Sequence, residues 1–240
     1  MTAGHCEKME VEGISVEVLR KRIKNLYIRV YPPDGRVRVS VPRRYDREAI
    51  RRAVVARLGW IRGKRKSFES RCRQSEREIV TGESHYVQGR RCRLEVVEVP
   101  GCRHGVSVSG SDTLLLRVQP GTDRAGRKRA LEGYYRELLH GRIPELLAVW
   151  EPAMGVSARE WRTKRMKTRW GTCNIAARRI WLNLELAKKP DRCLEYVVVH
   201  ELTHLLERNH TKRFYLLMDR FLPDWRERRD ELNTVPPGCE

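Results

Sequence analysis

The sequence predicts an α+β protein. A β-rich amino-terminal domain with one basic helix precedes a carboxyl-terminal domain of helices and two short strands. Three observations carry this prediction. Short segments of alternating hydrophobicity fill residues 14–41 and 80–119, helical spacing dominates from about 123 onward, and "VVVHELTHLLERNH" places His200, Glu201, His204 and His210 together. At 240 residues with 40% hydrophobic content, the chain can bury a core without disulfide or metal staples.

In the first alternating segment, Leu26, Ile28 and Val30 are followed by the turn "PPDG" and then by Val37, Val39 and Val41, which predicts a hairpin. Asp46 offers an N-cap to a helix carrying Ala49, Ile50, Ala53, Val54, Leu58 and Ile61, running into the 60s or low 70s. This helix and its continuation, to Arg71 and Arg73, are dense in cations. Arg51, Arg52, Lys64, Arg65 and Lys66 are candidates for polyanion binding, or they form a solvated face.

Residues 80–119 predict a meander of short strands. "PGTDRAGRKR" is a polar joint, which places the domains at 1–121 and 122–240. Leu131, Tyr134, Tyr135, Leu138 and Leu139 then give a helix an apolar face, with Gly141 and Pro144 kinking or dividing it. "KTRWGTCN" and "RRIWLNLEL" read as two strands, and Asp191 caps a helix over 191–207.

The net charge of +19 and a pI near 10.1 describe a molecule that attracts phosphate-rich or acidic partners. Apolar runs are too short for a membrane span. The seven cysteines, at 6, 72, 92, 102, 173, 193 and 239, include no C-x-x-C pair. Without a charged-then-apolar leader, they read as free thiols in the cytoplasm.

On a helix, His200 and His204 share a face one turn apart, the spacing two imidazoles need to hold one ion. Glu201 adjoins the first of them, where it can act as a base without competing as a ligand. His210 reaches the same ion only if the helix ends and the chain turns back. Asn209 in a left-handed conformation would close the helix, and Thr211 would cap the next one. Three neutral imidazoles leave a fourth position open, as in catalytic rather than structural zinc sites. H-E-x-x-H-x5-H is also the metzincin spacing, but Glu207 occupies the place of the metzincin Gly, and Met218 lies at helical spacing with core residues.

From "KTRWGTC" through "IWLNLELAKKP" and "YVVVHELTHLLERNH" to "FLPDWRERRDELN", the carboxyl half resembles the YgjP-like metallopeptidases, relatives of the SprT-like and Wss1-like zincins. In the amino half, the strand and helix order around "GESHYVQGRRCRLEV" is similar to the same family. The resemblance implies a zincin-like metallopeptidase domain holding one Zn2+ per chain on His200, His204 and His210, with Glu201 as general base and a protein or peptide as substrate. The family usually shows "WGSC" where this chain has "WGTC", and Trp is common where Tyr215 stands.

Trp170, Cys173 and Asn183 are candidates for the substrate cleft, with Cys173 read as a packed strand residue rather than a fourth ligand. An extended substrate could add to the sheet edge within residues 165–186. Two other functions stay open. One is a metal-dependent nucleoside triphosphate pyrophosphatase, in which the basic surface recruits the nucleotide. The other is a protease or binding module docked on nucleic acid through the same surface.

Overall fold

Valines at every second position build the first sheet. Val16 and Val18 on one strand and Val37, Val39 and Val41 on another are at most 1% exposed. In the computed structural model, which describes residues 6–31, 34–69 and 78–234, these residues belong to β2 (Ile14–Lys21) and β4 (Arg36–Pro42). With β1 (Cys6–Val11) and β3 (Tyr27–Tyr31) they form a sheet of order β1-β2-β4-β3. β2 and β4 run parallel, and β3 and β4 pair antiparallel as the expected hairpin. Pro32 and Pro33 of its turn, together with Cys72, Cys239, Arg71 and Arg73, lie outside the described residues.

The single basic helix is two helices, α1 (Arg47–Val55) and α2 (Leu58–Glu69). Asp46 caps α1 as expected, its carboxylate accepting from the Ala49 amide at 2.6 Å. The break at Ala56 and Arg57 lets each helix bury its own side chains, Ile50 and Val54 from α1 and Ile61 from α2, in the core of this sheet.

The chain packs as two compact units, 1–73 and 74–240. The joint expected at 121–122 therefore falls inside the second unit. The sheet of order β5-β6-β8-β7, from β5 (Ser84–Val87), β6 (Arg90–Glu98), β7 (Gly105–Ser109) and β8 (Thr113–Val118), shares one hydrophobic core with everything that follows. Leu94, Leu114 and Leu116 bury in the same cluster as Leu139, Leu182 and Leu202. A polar linker in sequence does not divide a shared core.

α3 (Arg124–Met154) is one 31-residue helix with Pro144 and Pro152 inside it. Leu139, Ile143, Leu146 and Leu147 are all buried around Pro144, and this packing carries the helix past the missing backbone donor. The third sheet has the order β10-β11-β9, from β9 (Glu160–Lys164), β10 (Gly171–Asn174) and β11 (Arg179–Asn183). β9 was not anticipated. β11 stops at Asn183, whose side chain accepts from the Glu185 amide at 3.2 Å and starts a 3-10 helix over Leu184–Lys188. Leu184 and Leu186 stay buried, so the alternation foretold burial but not strand.

α4 (Asp191–Thr203), α5 (Lys212–Phe221) and α6 (Trp225–Thr234) complete the fold. Asp191 does not cap α4. It sits in the first turn, and its carboxylate receives the Arg142 guanidinium of α3 at 2.7–3.0 Å. Cys92, Cys102, Cys173 and Cys193 are free thiols. Among the described residues no helix is long and apolar enough to cross a membrane.

Candidate active site

α4 is held by its apolar flank. Val197, Val198, Val199 and Leu202 are at most 2% exposed, which fixes the opposite flank, with His200, toward a cleft. The helix ends at His204, and the chain tightens at once, with the amides of Leu206 and Glu207 both returning to the Thr203 carbonyl. Helix closure uses these turns and no left-handed Asn209, because Asn209 is not among the residues of positive φ. Thr211 does cap α5, accepting from the Phe214 amide at 3.4 Å.

The returning chain brings His210 back to the helix. One ring nitrogen from each of His200, His204 and His210 falls in a group whose members all lie within 4.8 Å of one another, and Nε2 of His200 and His210 stand 3.0 Å apart. Phe214 lies beneath all three rings, its centroid 4.7–5.0 Å from each, and is 1% exposed. Nδ1 of His204 donates to the Glu207 carbonyl at 3.3 Å, which leaves Nε2 free to bind a cation. Burial and then the neighbouring imidazoles push His200 down to about 3, so it is neutral across the physiological range. His204 is also lowered, by burial first.

Glu201 is 5% exposed, and its Oε2 has no hydrogen-bond partner among the described residues. Burial pushes its carboxyl up to about 8, and the charge of Arg169 opposes that shift. Its other oxygen faces the backbone of β10, where a Cβ built on Gly171 would stand 2.5 Å from Oε1. Gly171 is therefore part of the site, although the sequence reading passed over it. The available signal was a glycine inside a strand, which marks close approach of another group.

His200, Glu201, His204, His210, Trp170 and Cys173 all line one cleft of about 1180 Å³. Trp170 donates through Nε1 to Asn233 at 3.3 Å. Burial and then Glu201 raise the Cys173 thiol to about 11, and Cys173 is not among the groups that converge. Asn183, expected in the cleft, is 0% exposed and does not line it. It donates to the carbonyls of Met166 and Arg169 at 2.9 and 2.8 Å and accepts from the Met166 amide at 3.1 Å, fixing the loop that leads to Trp170 and Gly171. Of the polyanion candidates, Arg51 and Arg52 lie on α1 and Lys64, Arg65 and Lys66 on α2, within the first unit.

A family model described as YgjP-like, metallopeptidase domain, matches residues 24–235. The chain belongs to the YgjP-like family. A metallopeptidase domain of this family brings with it a divalent metal and protein or peptide substrates. No curated protein matches the chain. A solved structure that does match is the crystal structure of the metallopeptidase zymogen of Pyrococcus abyssi abylysin. It is 20% identical, the match covers 38% of this chain and 92% of that one, and the TM-score is 0.36.

Proposed function

We propose that this YgjP-like chain is a zinc-dependent metallopeptidase in which His200, His204 and His210 hold one Zn2+ and Glu201 is the general base. The observation that carries the reading is the convergence of three imidazoles beside a buried carboxylate whose Oε2 has no partner. The donor set fits the ion. Three imidazoles form a borderline-soft ligand group suited to zinc, and burial disfavours protons on His200 and His204. A positive charge in their midst would also draw Glu201 back toward its ionised form.

When bound, zinc supplies Lewis-acid polarisation of the scissile carbonyl and makes water acidic enough to attack near neutral pH. Glu201 Oε2 takes a proton from the attacking water and delivers it to the leaving nitrogen. Gly171 keeps that carboxylate in place by leaving room for it. Among the described residues β10 pairs with β11 on one side only, so its other edge, beside the cleft, can receive an extended peptide as an added strand.

The test combines elemental analysis with hydrolysis of casein and of UTP. Wild type should carry about one zinc per chain and His204→Ala should lose it, while Glu201→Gln should keep the metal and lose casein cleavage. Release of pyrophosphate from UTP without proteolysis would transfer the site to nucleotides.

A further inference from the structure

Residues 1–73 hold 20 of the 50 Lys and Arg but only 8 of the 31 Asp and Glu, so their local field is strongly positive. Two groups stand out among their described cations. Arg20, Arg36, Arg38, Arg47 and Arg51 stand within 4.0 Å of Glu7, Glu12 or Glu17. Lys21, Arg22, Lys24, Arg43 and Arg44 have no carboxylate partner among the described residues, and these five line one concavity of about 420 Å³ to which no acidic residue contributes.

The topology gathers them. Because β2 and β4 are parallel, with Lys21 opposite Pro42, the loops that follow the two strands leave the same end of the sheet. Arg20 donates to the carbonyls of Arg43, at 3.2 Å, and Tyr45, which fixes the second loop's backbone without engaging the Arg43 and Arg44 side chains. Tyr27 opens β3 opposite Ser40, so it stands at that same end, and it is 49% exposed. Five unneutralised cations around one hollow repel one another, and a chain of phosphates relieves that repulsion while releasing its own counterions. An exposed aromatic ring at the same end suits an unstacked base, which a single strand offers and a duplex does not.

We propose that the hollow between the loops following β2 and β4 binds the sugar-phosphate backbone of single-stranded nucleic acid, with Tyr27 as a stacking platform. The site differs from the basic helices singled out in the sequence. There Arg51 is paired with Glu12, and the stem of Arg65 packs over Gly35.

The test is fluorescence anisotropy of a labelled oligothymidine of about 20 nucleotides with the full chain, across about 50–300 mM salt. Wild type should bind, with log Kd rising linearly with log salt by about 0.7 per phosphate engaged. Arg43→Glu with Arg44→Glu should weaken binding at least about 30-fold and flatten that slope. Lys21→Glu with Lys24→Glu, on the other loop, should do the same, so a folding failure in one pair leaves the other decisive. Tyr27→Ala should weaken binding about 10-fold at unchanged slope, and Arg52→Glu with Lys66→Glu should stay within about 3-fold of wild type. No binding by wild type at the lowest salt, wild-type affinity in the loop variants, or binding to phosphatidylserine vesicles but not to the oligonucleotide would overturn the proposal.

Discussion

The backbone of Gly171 stands against the carboxylate of Glu201 so closely that a Cβ there would lie 2.5 Å from Oε1, 2.8 Å from Cγ and 2.9 Å from Cδ. No side chain fits that gap, so the edge strand and the active helix are matched at this contact. Gly171→Ala should keep its zinc, because no imidazole is disturbed, yet lose about 100-fold or more in kcat as the base is displaced, with about 1–3 kcal/mol of stability lost to overpacking. Metal analysis alongside peptide hydrolysis separates the two effects. Wild-type kcat in the variant would remove Gly171 from the site.

Glu201 also sets a pH signature in the metal-free protein. Its folded value of about 8 lies above the ordinary 4.5, so the stability it contributes is fully present below pH 4.5 and is lost as pH rises through 8. Glu201→Gln has no such loss. In chelator-treated samples the variant should melt with wild type near pH 4.5 and higher than wild type at pH 9. Parallel melting curves across that range would show that the carboxyl is not buried as described.

Acid acts in the opposite direction on His200. Its folded value of about 3 lies below the ordinary 6.5, so the stability it contributes to the metal-free protein is present above pH 6.5 and fades as pH falls toward 3. Replacing His200 by Asn should shrink the acid-side loss in denaturant titrations of metal-free protein. An unchanged acid limb would contradict the burial of this ring.

Phe214 touches all three imidazoles from within the core. Phe214→Leu should cost about 1–2 kcal/mol in urea unfolding, since volume is only partly retained. It should also weaken zinc binding about 10-fold, as the rings lose their common support. Competition with a chromophoric chelator reads the second effect, and unchanged metal affinity would leave Phe214 a packing residue alone.

Asn183 engages four backbone groups, the Met166 and Glu185 amides and the Met166 and Arg169 carbonyls, in a fully buried position. Asn183→Ala should cost about 2–4 kcal/mol, because the orphaned amide and carbonyls of the Met166–Arg169 loop lose their partners. Asn183→Asp should rescue little, since a carboxylate cannot donate to two carbonyls. Denaturant midpoints check both.

By itself the sequence determined the parts that local chemistry governs. The H-E-x-x-H spacing predicted two histidines and a carboxylate on one helix, the valine alternation predicted the first sheet, Asp46 and Thr211 predicted caps, and Met218 predicted a core position, which is 0% exposed. Each depends on residues a few positions apart, where helix and strand geometry fix the outcome. Only the tertiary structure decided that Gly171 faces Glu201, that Phe214 supports the three rings, that Asn183 is a buried brace rather than a cleft residue, and that residues 78–118 share a core with α3 and α4. Asn183 reaches 14 and 17 positions back to Arg169 and Met166, and Gly171 meets Glu201 from a separate element. No periodicity encodes them, because they arise from which apolar faces meet once the chain has closed.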